Sequence, residues 1–169
     1  VLEFPVSSAT VELAARAVGV EPARIAKTLS FYTKEKDAAI LIVTAGDMKI
    51  DNSKFKHFFG MKAKMLSPED VEPLTGHAIG GVCPFGNPKS AAVYLDGSMK
   101  RFETVFPAAG SGNSAAELTC EELAQHAHAK EWIDRCKEQH CSKEARQCRK
   151  ITCPRTGRPP RTGAAGLPG

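Results

Sequence analysis

The nearly continuous apolar run from Ala38 to Ala45 constrains the fold of this 169-residue chain more than any other segment. A run of this length without polar alternation is typical of a strand that is buried on both faces, and Gly46 follows it as a turn residue. A charged turn at 34–37 precedes the run, and the segment from Lys27 to Thr33 alternates with a period of two. The sequence therefore predicts two adjacent strands, of which the second is the most buried in the molecule.

The rest of the first 135 residues predicts further helices and strands in mixed order. The predicted helices share a capping side chain at the start, apolar residues at helical spacing, or a glycine at the end. They fall at about 9–18, 51–60, 67–76 and from Thr119 onward, and a single turn begins at Pro22. Further strands are expected at about 63–66, 79–83, 91–96 and 101–106. The predicted fold class is α+β, a single domain with a mixed sheet of six to seven strands and flanking helices.

Basic residues and cysteines concentrate at the C-terminal end of the chain. Residues 136–169 hold eight Lys or Arg against two Asp or Glu, whereas residues 1–135 hold 15 against 17. Pro, Gly, Thr and Arg dominate the end of this tail and leave little to bury. We therefore predict a domain at 1–135 and a disordered or non-native tail at 136–169. A basic RNA-binding arm is the second interpretation. A zinc site is the third, because the spacing of Cys136, Cys141, Cys148 and Cys153 does not match common zinc knuckles.

The composition excludes several classes of protein. No apolar run approaches the roughly 18 residues of a membrane span, and the first residues are neither basic nor apolar enough for a signal peptide. The chain starts without methionine, which suggests that the N-terminal edge of the natural protein is missing. Before the tail there are only Cys83 and Cys120, as is typical of a reduced cytosolic domain. We expect a cytoplasmic protein with no membrane partner.

The most unusual segment is 76–86, which has four glycines among eleven residues. Glycine allows the backbone to approach a ligand closely, and N–H groups exposed in such a loop can stabilise the oxyanion that forms during acyl transfer. The spacing matches neither a phosphate-binding loop nor a dinucleotide fingerprint. From the glycines alone, a bulged strand followed by a turn is an equal alternative.

Three other sets of residues could take part in binding, catalysis or metal coordination, but each also has a purely structural interpretation. Lys27 is either a solvated strand end, which burial statistics favour, or a cation held near a binding site. Cys83 would need an activating base to serve as a nucleophile, and since only His77 is near in sequence, a small buried side chain is the favoured role. His126 and His128, two residues apart on a predicted helix, point in nearly opposite directions and cannot share an ion. No metal site is therefore predicted.

The ordered motifs of the chain resemble the YbaK-like family of prolyl-tRNA-editing-like aminoacyl-tRNA deacylases. The motifs are Ile25-Ala26-Lys27-Thr28-Leu29, the strand ending at Ala45-Gly46-Asp47, and the loop from Thr75 to Gly86. The resemblance covers residues 1–134. It implies a mixed sheet with flanking helices and hydrolysis of the ester that joins a wrong amino acid to the 3′ end of a tRNA, usually proline tRNA. It implies no metal or organic cofactor.

The resemblance also assigns roles to individual residues. Lys27 takes the place of the family's active-site lysine, and Gly80 and Gly81 take the places of the glycines whose backbone contacts the reacting carbonyl. The implied substrate-binding positions are Thr28, Gly76, His77, Val82, Cys83 and Pro84. Some relatives that clear cysteine carry an aspartate shortly before a Glu-Leu pair, whereas the segment 113–118 has alanine there. The resemblance therefore leaves the amino acid open.

We expect a trans-editing hydrolase that deacylates mischarged proline tRNA carrying alanine, cysteine or a similar amino acid. Its partners would be the charged tRNA and prolyl-tRNA synthetase. A synthetase pocket excludes a smaller amino acid by only about 1–3 kcal/mol per missing group, so a second, hydrolytic site is needed. The alternative is a non-catalytic tRNA- or synthetase-binding module with the same fold. A third interpretation is a defective copy in which the tail blocks the cleft.

Overall fold

The computed structural model describes residues 1–5 and 10–138, which form four α-helices and ten strands. In chain order the elements are β1 Leu2–Glu3, α1 Val11–Val18, β2 Ile25–Tyr32, β3 Ala39–Ala45, β4 Met48–Ile50, α2 Asn52–Phe59, α3 Pro68–Thr75, β5 Ala92–Asp96, β6 Thr104–Pro107, β7 Ser114–Ala115, β8 Leu118–Thr119, α4 Cys120–His126, β9 Glu131–Ile133 and β10 Cys136–Glu138. Two 3₁₀ turns, Pro22–Arg24 and Gly97–Arg101, precede β2 and follow β5. None of the described helices is long and apolar enough to span a membrane.

Six strands form one mixed sheet in the order β8-β6-β2-β3-β5-β9. The β2–β3 pair is antiparallel and joins seven residue pairs from Ala26↔Ala45 to Tyr32↔Ala39. Strands β6, β5 and β9 run parallel to β2, β3 and β5 respectively, while β8 closes the β6 edge antiparallel. This arrangement confirms the predicted α+β class and the mixed six-stranded sheet.

Helices cover both faces of this sheet. On one face, α3 and α4 pack against the apolar side chains of β3 and β5, including Leu41, Val43 and Leu95. On the opposite face, α2 inserts Phe55 against Ile40 and Ile42. All seven residues of β3 are buried, as its unbroken apolar pattern predicts.

Local sequence signals fix the ends of the helices. Thr10 accepts a hydrogen bond from the N–H of Leu13 at the start of α1, and Thr119 forms a reciprocal capping box with Glu122 at the start of α4. Ser67 does not cap the backbone of α3 as predicted. Its hydroxyl instead donates to the Asp70 carboxylate at 2.8 Å and bonds to the Tyr32 hydroxyl, which ties α3 to β2.

Three predicted strands differ from the structure. Segment 79–83 is a loop, because Gly80 has a φ of +83° and the N–H of Gly81 turns back to the carbonyl of Ala78. Segment 63–66 touches β2 through a single bridge between Met65 and Phe31. The strand expected at 101–106 starts only at 104, since a 3₁₀ turn occupies 97–101.

The folded part of the chain also extends beyond the predicted boundary at residue 135. Residues 136–138 form β10 and pair antiparallel with β4, with Cys136 opposite Ile50. Cys136, assigned to the tail by its composition, is therefore buried, and burial raises the pKa of its thiol to about 12. The rest of the predicted tail, including its other cysteines, lies outside the described residues.

Candidate functional site

A cavity of about 190 Å³ opens where β2 and β6 separate. The two strands pair only through Ile25↔Phe106 and Ala26↔Pro107, so β2 continues beyond Ala26 without β6 beside it. Residues from α1, the 80–82 loop and the 106–115 segment close the opening. The cavity is lined by Thr10, Val11, Ala14, Ile25, Ala26, Lys27, Thr28, Gly80, Val82, Phe106, Ala108, Ser114 and Ala115. It is smaller than the roughly 300–1,000 Å³ typical of drug-sized ligands, and therefore suits a small group.

Of the described residues that line this cavity, Lys27 alone is charged. Its Nζ donates to the carbonyl of Gly46 at 3.0 Å, which leaves two of the three ammonium hydrogens for other partners. Burial lowers the pKa of Lys27, and the nearby charges of Asp47 and Glu12 oppose that shift. The structure thus holds a partly desolvated cation at the cavity, where an interaction with an anionic group is stronger than in water.

Gly46 positions this lysine through a close backbone contact. A Cβ atom at Gly46 would lie 2.0 Å from the carbonyl oxygen of Pro22 and 2.7 Å from Cγ1 of Val11. No side chain fits there, so only glycine allows the end of β3 to meet the Pro22 turn and α1. The same residue then presents its carbonyl to Lys27.

The glycine loop at 80–82 forms a second wall. Gly81 is buried, and a Cβ atom on it would lie 3.2 Å from the carbonyl oxygen of Gly110 and 3.4 Å from Cα of Ser111. Within residues 1–5 and 10–138, the N–H groups of Gly80 and Val82 have no hydrogen-bond acceptor. Both residues line the cavity, so this loop supplies backbone donors that a ligand can use.

Thr28 adds an unsatisfied hydroxyl to the cavity wall. Its Oγ1 is buried and has no partner among the described residues. A buried polar atom without a partner costs about 1–3 kcal/mol. Thr28 lines the cavity, but less than 1 Å² of this oxygen is exposed, so the hydroxyl itself is not presented to a ligand in this structure.

His77 and Cys83 lie together but do not line the cavity. The Nε2 atom of His77 is 2.8 Å from the carbonyl oxygen of Phe85 and 3.6 Å from Sγ of Cys83. Since a carbonyl only accepts, His77 carries a proton on Nε2 and cannot remove the thiol proton with that atom. Burial also raises the pKa of Cys83. The pair is therefore built as a structural contact that stabilises the loop, in agreement with the buried role favoured for Cys83.

Some of the site residues predicted from the sequence line the cavity, and the others lie outside it. Lys27, Thr28, Gly80 and Val82 line the cavity, whereas Gly81 of the same loop packs against Gly110 and Ser111. The other predicted positions shape the loop from outside: Gly76 ends α3 in the left-handed conformation, and Pro84 is fully buried.

Sequence reasoning missed the far wall of the cavity, which comes from the segment 106–115. Ser114 and Ala115 pair with β1 there, and the Ser111 hydroxyl donates to Ser114 at 2.7 Å. A signal was present, because residues 108–114 are as rich in Gly, Ser and Ala as the 76–86 loop. Elsewhere in the described chain, no group of three His, Cys, Asp or Glu residues is placed to hold a metal ion.

Taken together, the cavity offers one cation, backbone donors and small apolar walls. That combination can hold a polar carbonyl at the mouth and a small side chain inside. Among the described residues that line it there is no Cys, His, Asp or Glu, so no carboxylate or imidazole base lies beside the Thr28 and Ser114 side chains.

Comparison with known proteins places this site in context. The sequence profile of the aminoacyl-tRNA editing domain matches residues 6–126. An uncharacterised protein of Bacillus subtilis, YwhH, is 60% identical over 138 residues, which is 82% of this chain and 87% of YwhH. The proline–tRNA ligase of Caldicellulosiruptor bescii is 30% identical over 92 residues, 54% of this chain but only 15% of the ligase.

Solved structures agree with the sequence matches. A proposed trans-editing enzyme for prolyl tRNA synthetase superposes with a TM-score of 0.72 at 33% identity, over 82% of this chain and 85% of that one. A hypothetical protein of 25% identity gives the same TM-score over 80% of this chain and 89% of its own.

Proposed function

This chain belongs to the aminoacyl-tRNA editing domain family, and from that premise we propose that it hydrolyses the ester bond of mischarged aminoacyl-tRNA. The observation that carries the proposal is the placement of Lys27 and the Gly80 loop on one small cavity. An editing role in general follows from the family. The identity of the substrate, the role of Lys27 and the role of the Gly80 loop are what this proposal adds.

The proposed reaction needs only water as co-substrate. A water oxygen attacks the ester carbonyl, the bond to the terminal ribose oxygen breaks, and that oxygen leaves as a hydroxyl with a proton taken from the water. The N–H groups of Gly80 and Val82 stabilise the oxyanion, and Lys27 holds the nearby phosphate or the developing charge. An aminoacyl ester is already activated, and a neighbouring ribose hydroxyl can assist the proton transfer.

The cavity walls favour a small amino acid. Val11, Ile25, Val82 and Phe106 fill space around the cavity, and its volume of about 190 Å³ leaves little room beyond the ester and a short side chain. We therefore propose alanine, serine or cysteine as the amino acid removed. Proline tRNA is the proposed carrier because two proline–tRNA ligases are among the sequence relatives, and a proposed trans-editing enzyme for prolyl tRNA synthetase is among the structural ones.

Deacylation of proline tRNA charged with alanine, cysteine, serine or proline tests this proposal. We expect the full chain to release one of the three wrong amino acids and to spare prolyl-tRNA. Lys27→Ala should lower that rate by about 10²- to 10³-fold, the usual cost of losing one electrostatic stabiliser. Lys49→Ala, which removes an exposed lysine from β4, is the matched control and should keep the wild-type rate.

A folded protein that releases none of the four amino acids would overturn the proposal. If it then binds the charged tRNA without hydrolysis, the non-catalytic binding module is the correct function. If hydrolysis occurs but Lys27→Ala retains it, the assignment of the lysine is wrong while the editing activity stands.

A further inference from the structure

A second groove, of about 530 Å³, lies on the far side of the glycine loop from the cavity. It is formed where the segment before β5 meets the turn between α4 and β9. Its lining residues are Pro84, Gly86, Asn87, Pro88, Lys89, Ala91, Val93, His126, Ala127, His128 and Lys130. The proposed reaction uses none of these groups directly.

The charged side chains that line this groove, among the described residues, are two lysines. Lys89, Lys130, His126 and His128 are all exposed, and no Asp or Glu is among the lining residues. Neither lysine takes part in the ion pairs found among the described residues. The groove differs in this respect from the domain as a whole, since residues 1–135 hold 15 basic and 17 acidic residues. Two lysines without a carboxylate beside them in the groove favour an anionic partner.

Backbone and amide hydrogen bonds fix the two segments that carry these side chains. The N–H of Lys130 donates to the carbonyl of Val93 at 2.8 Å, and the Asn87 amide donates to the carbonyl of Cys83 at 3.1 Å. His128 has a φ of +47°, which turns the chain sharply after α4. The groove is therefore a built surface of the fold and not a loose collection of lysines.

The end of α4 does not cancel this positive field. A helix C-terminus normally presents free carbonyls that repel anions. Here the N–H groups of Ala127, His128 and Ala129 donate to carbonyls of the last turn at 2.9, 3.3 and 3.2 Å. Those acceptors are occupied, so the side chains set the charge of the groove.

We propose that this groove binds the sugar-phosphate backbone of the tRNA whose charged end occupies the cavity. The inference rests on the proposed function. Lysines suit phosphates, while Pro88 and Ala91 offer apolar surface to the sugars. Among the described residues no Phe, Tyr or Trp lines the groove, so any stacking on bases would fall to His126 and His128, while the lysine contacts to phosphate carry no sequence information.

The glycine loop connects the two sites. Val82 lines the cavity and Pro84 lines the groove, and two residues span at most about 7 Å of chain. An RNA strand leaving the cavity meets the groove within a short distance.

The test compares the double variant Lys89→Gln/Lys130→Gln with the control Lys34→Gln/Lys36→Gln, which removes the same charge from the exposed β2–β3 turn. The probe is an uncharged RNA hairpin with a single-stranded 3′ CCA end, whose affinity is measured from 50 to 300 mM salt. Loss of two phosphate contacts should flatten the slope of log affinity against log salt by about 1.4. At about 0.1 M salt that slope corresponds to roughly 25-fold weaker binding.

Kinetics on mischarged tRNA provide the second readout. The groove variant should raise KM by a similar factor and leave kcat unchanged, because the reacting ester lies in the cavity. Affinity and salt slope equal to those of the control variant would overturn the groove proposal, and would point to an acidic protein surface as its partner. Absence of hydrolysis by the wild-type chain would defeat the proposed function instead, while the hairpin measurement would still decide the groove.

Discussion

Replacing Gly81 by alanine tests whether the reaction requires the close contact between the 80–82 loop and residues 110–111. The new Cβ atom would lie 3.2 Å from the Gly110 carbonyl oxygen and 3.4 Å from Cα of Ser111, closer than ordinary van der Waals contact. The φ of Gly81 is not in the left-handed region, so alanine introduces crowding without backbone strain. Both neighbours are backbone atoms that cannot rotate away. The loop must therefore move by a few tenths of an ångström.

The expected cost follows from that displacement. A misplacement of about 1 Å at a reacting centre costs about 100-fold, so a shift of 0.3–0.5 Å corresponds to roughly a four- to tenfold loss of kcat. Overpacking in a close-packed region costs about 1–3 kcal/mol of stability. Rates are therefore measured by single-turnover deacylation well below the melting temperature, and the fold is followed by thermal denaturation.

Gly97→Ala is the matched control, because its Cβ would make only an ordinary contact, 3.7 Å from the carbonyl oxygen of Ile133. We expect this variant to keep the wild-type rate. A Gly81→Ala protein as active as Gly97→Ala would refute the reasoning, since it would show that the position of the 80–82 loop does not limit the reaction.

Two further predictions concern residues outside the cavity wall. Phe55→Ala should lower the free energy of unfolding by about 3–5 kcal/mol, because this ring is fully buried and its centroid lies 5.1 Å from that of Phe31 and 4.5 Å from that of Phe59. Denaturant unfolding measures the loss. A loss below about 1.5 kcal/mol would contradict the place of Phe55 in the core. Cys83→Ser should keep the rate within about threefold, because serine retains the bonds to Phe85 and Gly110. A 100-fold loss in that variant would instead identify the thiol as a nucleophile.

The sequence predicts the centre of the fold well because the relevant signals are local. The β2–β3 pair is an antiparallel hairpin whose turn, alternation and apolar run all lie within twenty residues. The boundaries of α1, α2 and α4 follow from caps and glycines beside them. Strands of two or three residues, such as β4, β9 and β10, show no periodicity of their own and form only because a long strand or another short one lies beside them.

The candidate site is harder to predict because its parts come from distant segments. Physical reasoning alone favours Lys27 as a solvated strand end, and the family resemblance was needed to connect it with Gly80. The apolar residues Ile79 and Val82 look like strand residues, yet the positive φ of Gly80 takes this segment out of the sheet. The far wall at 106–115 is defined by the place where β6 leaves β2, which no local pattern encodes.

The separation of β2 from β6 has a consequence for how the molecule forms. The β2–β3 hairpin joins residues that are close in the chain, whereas Ile25 meets Phe106 only after a loop of about 80 residues closes. Closing a loop of this length costs more conformational entropy than forming the local hairpin, so the β2–β6 contact forms late in folding. The cavity exists only when that contact does. Recovery of activity during refolding should therefore lag behind burial of the hairpin core.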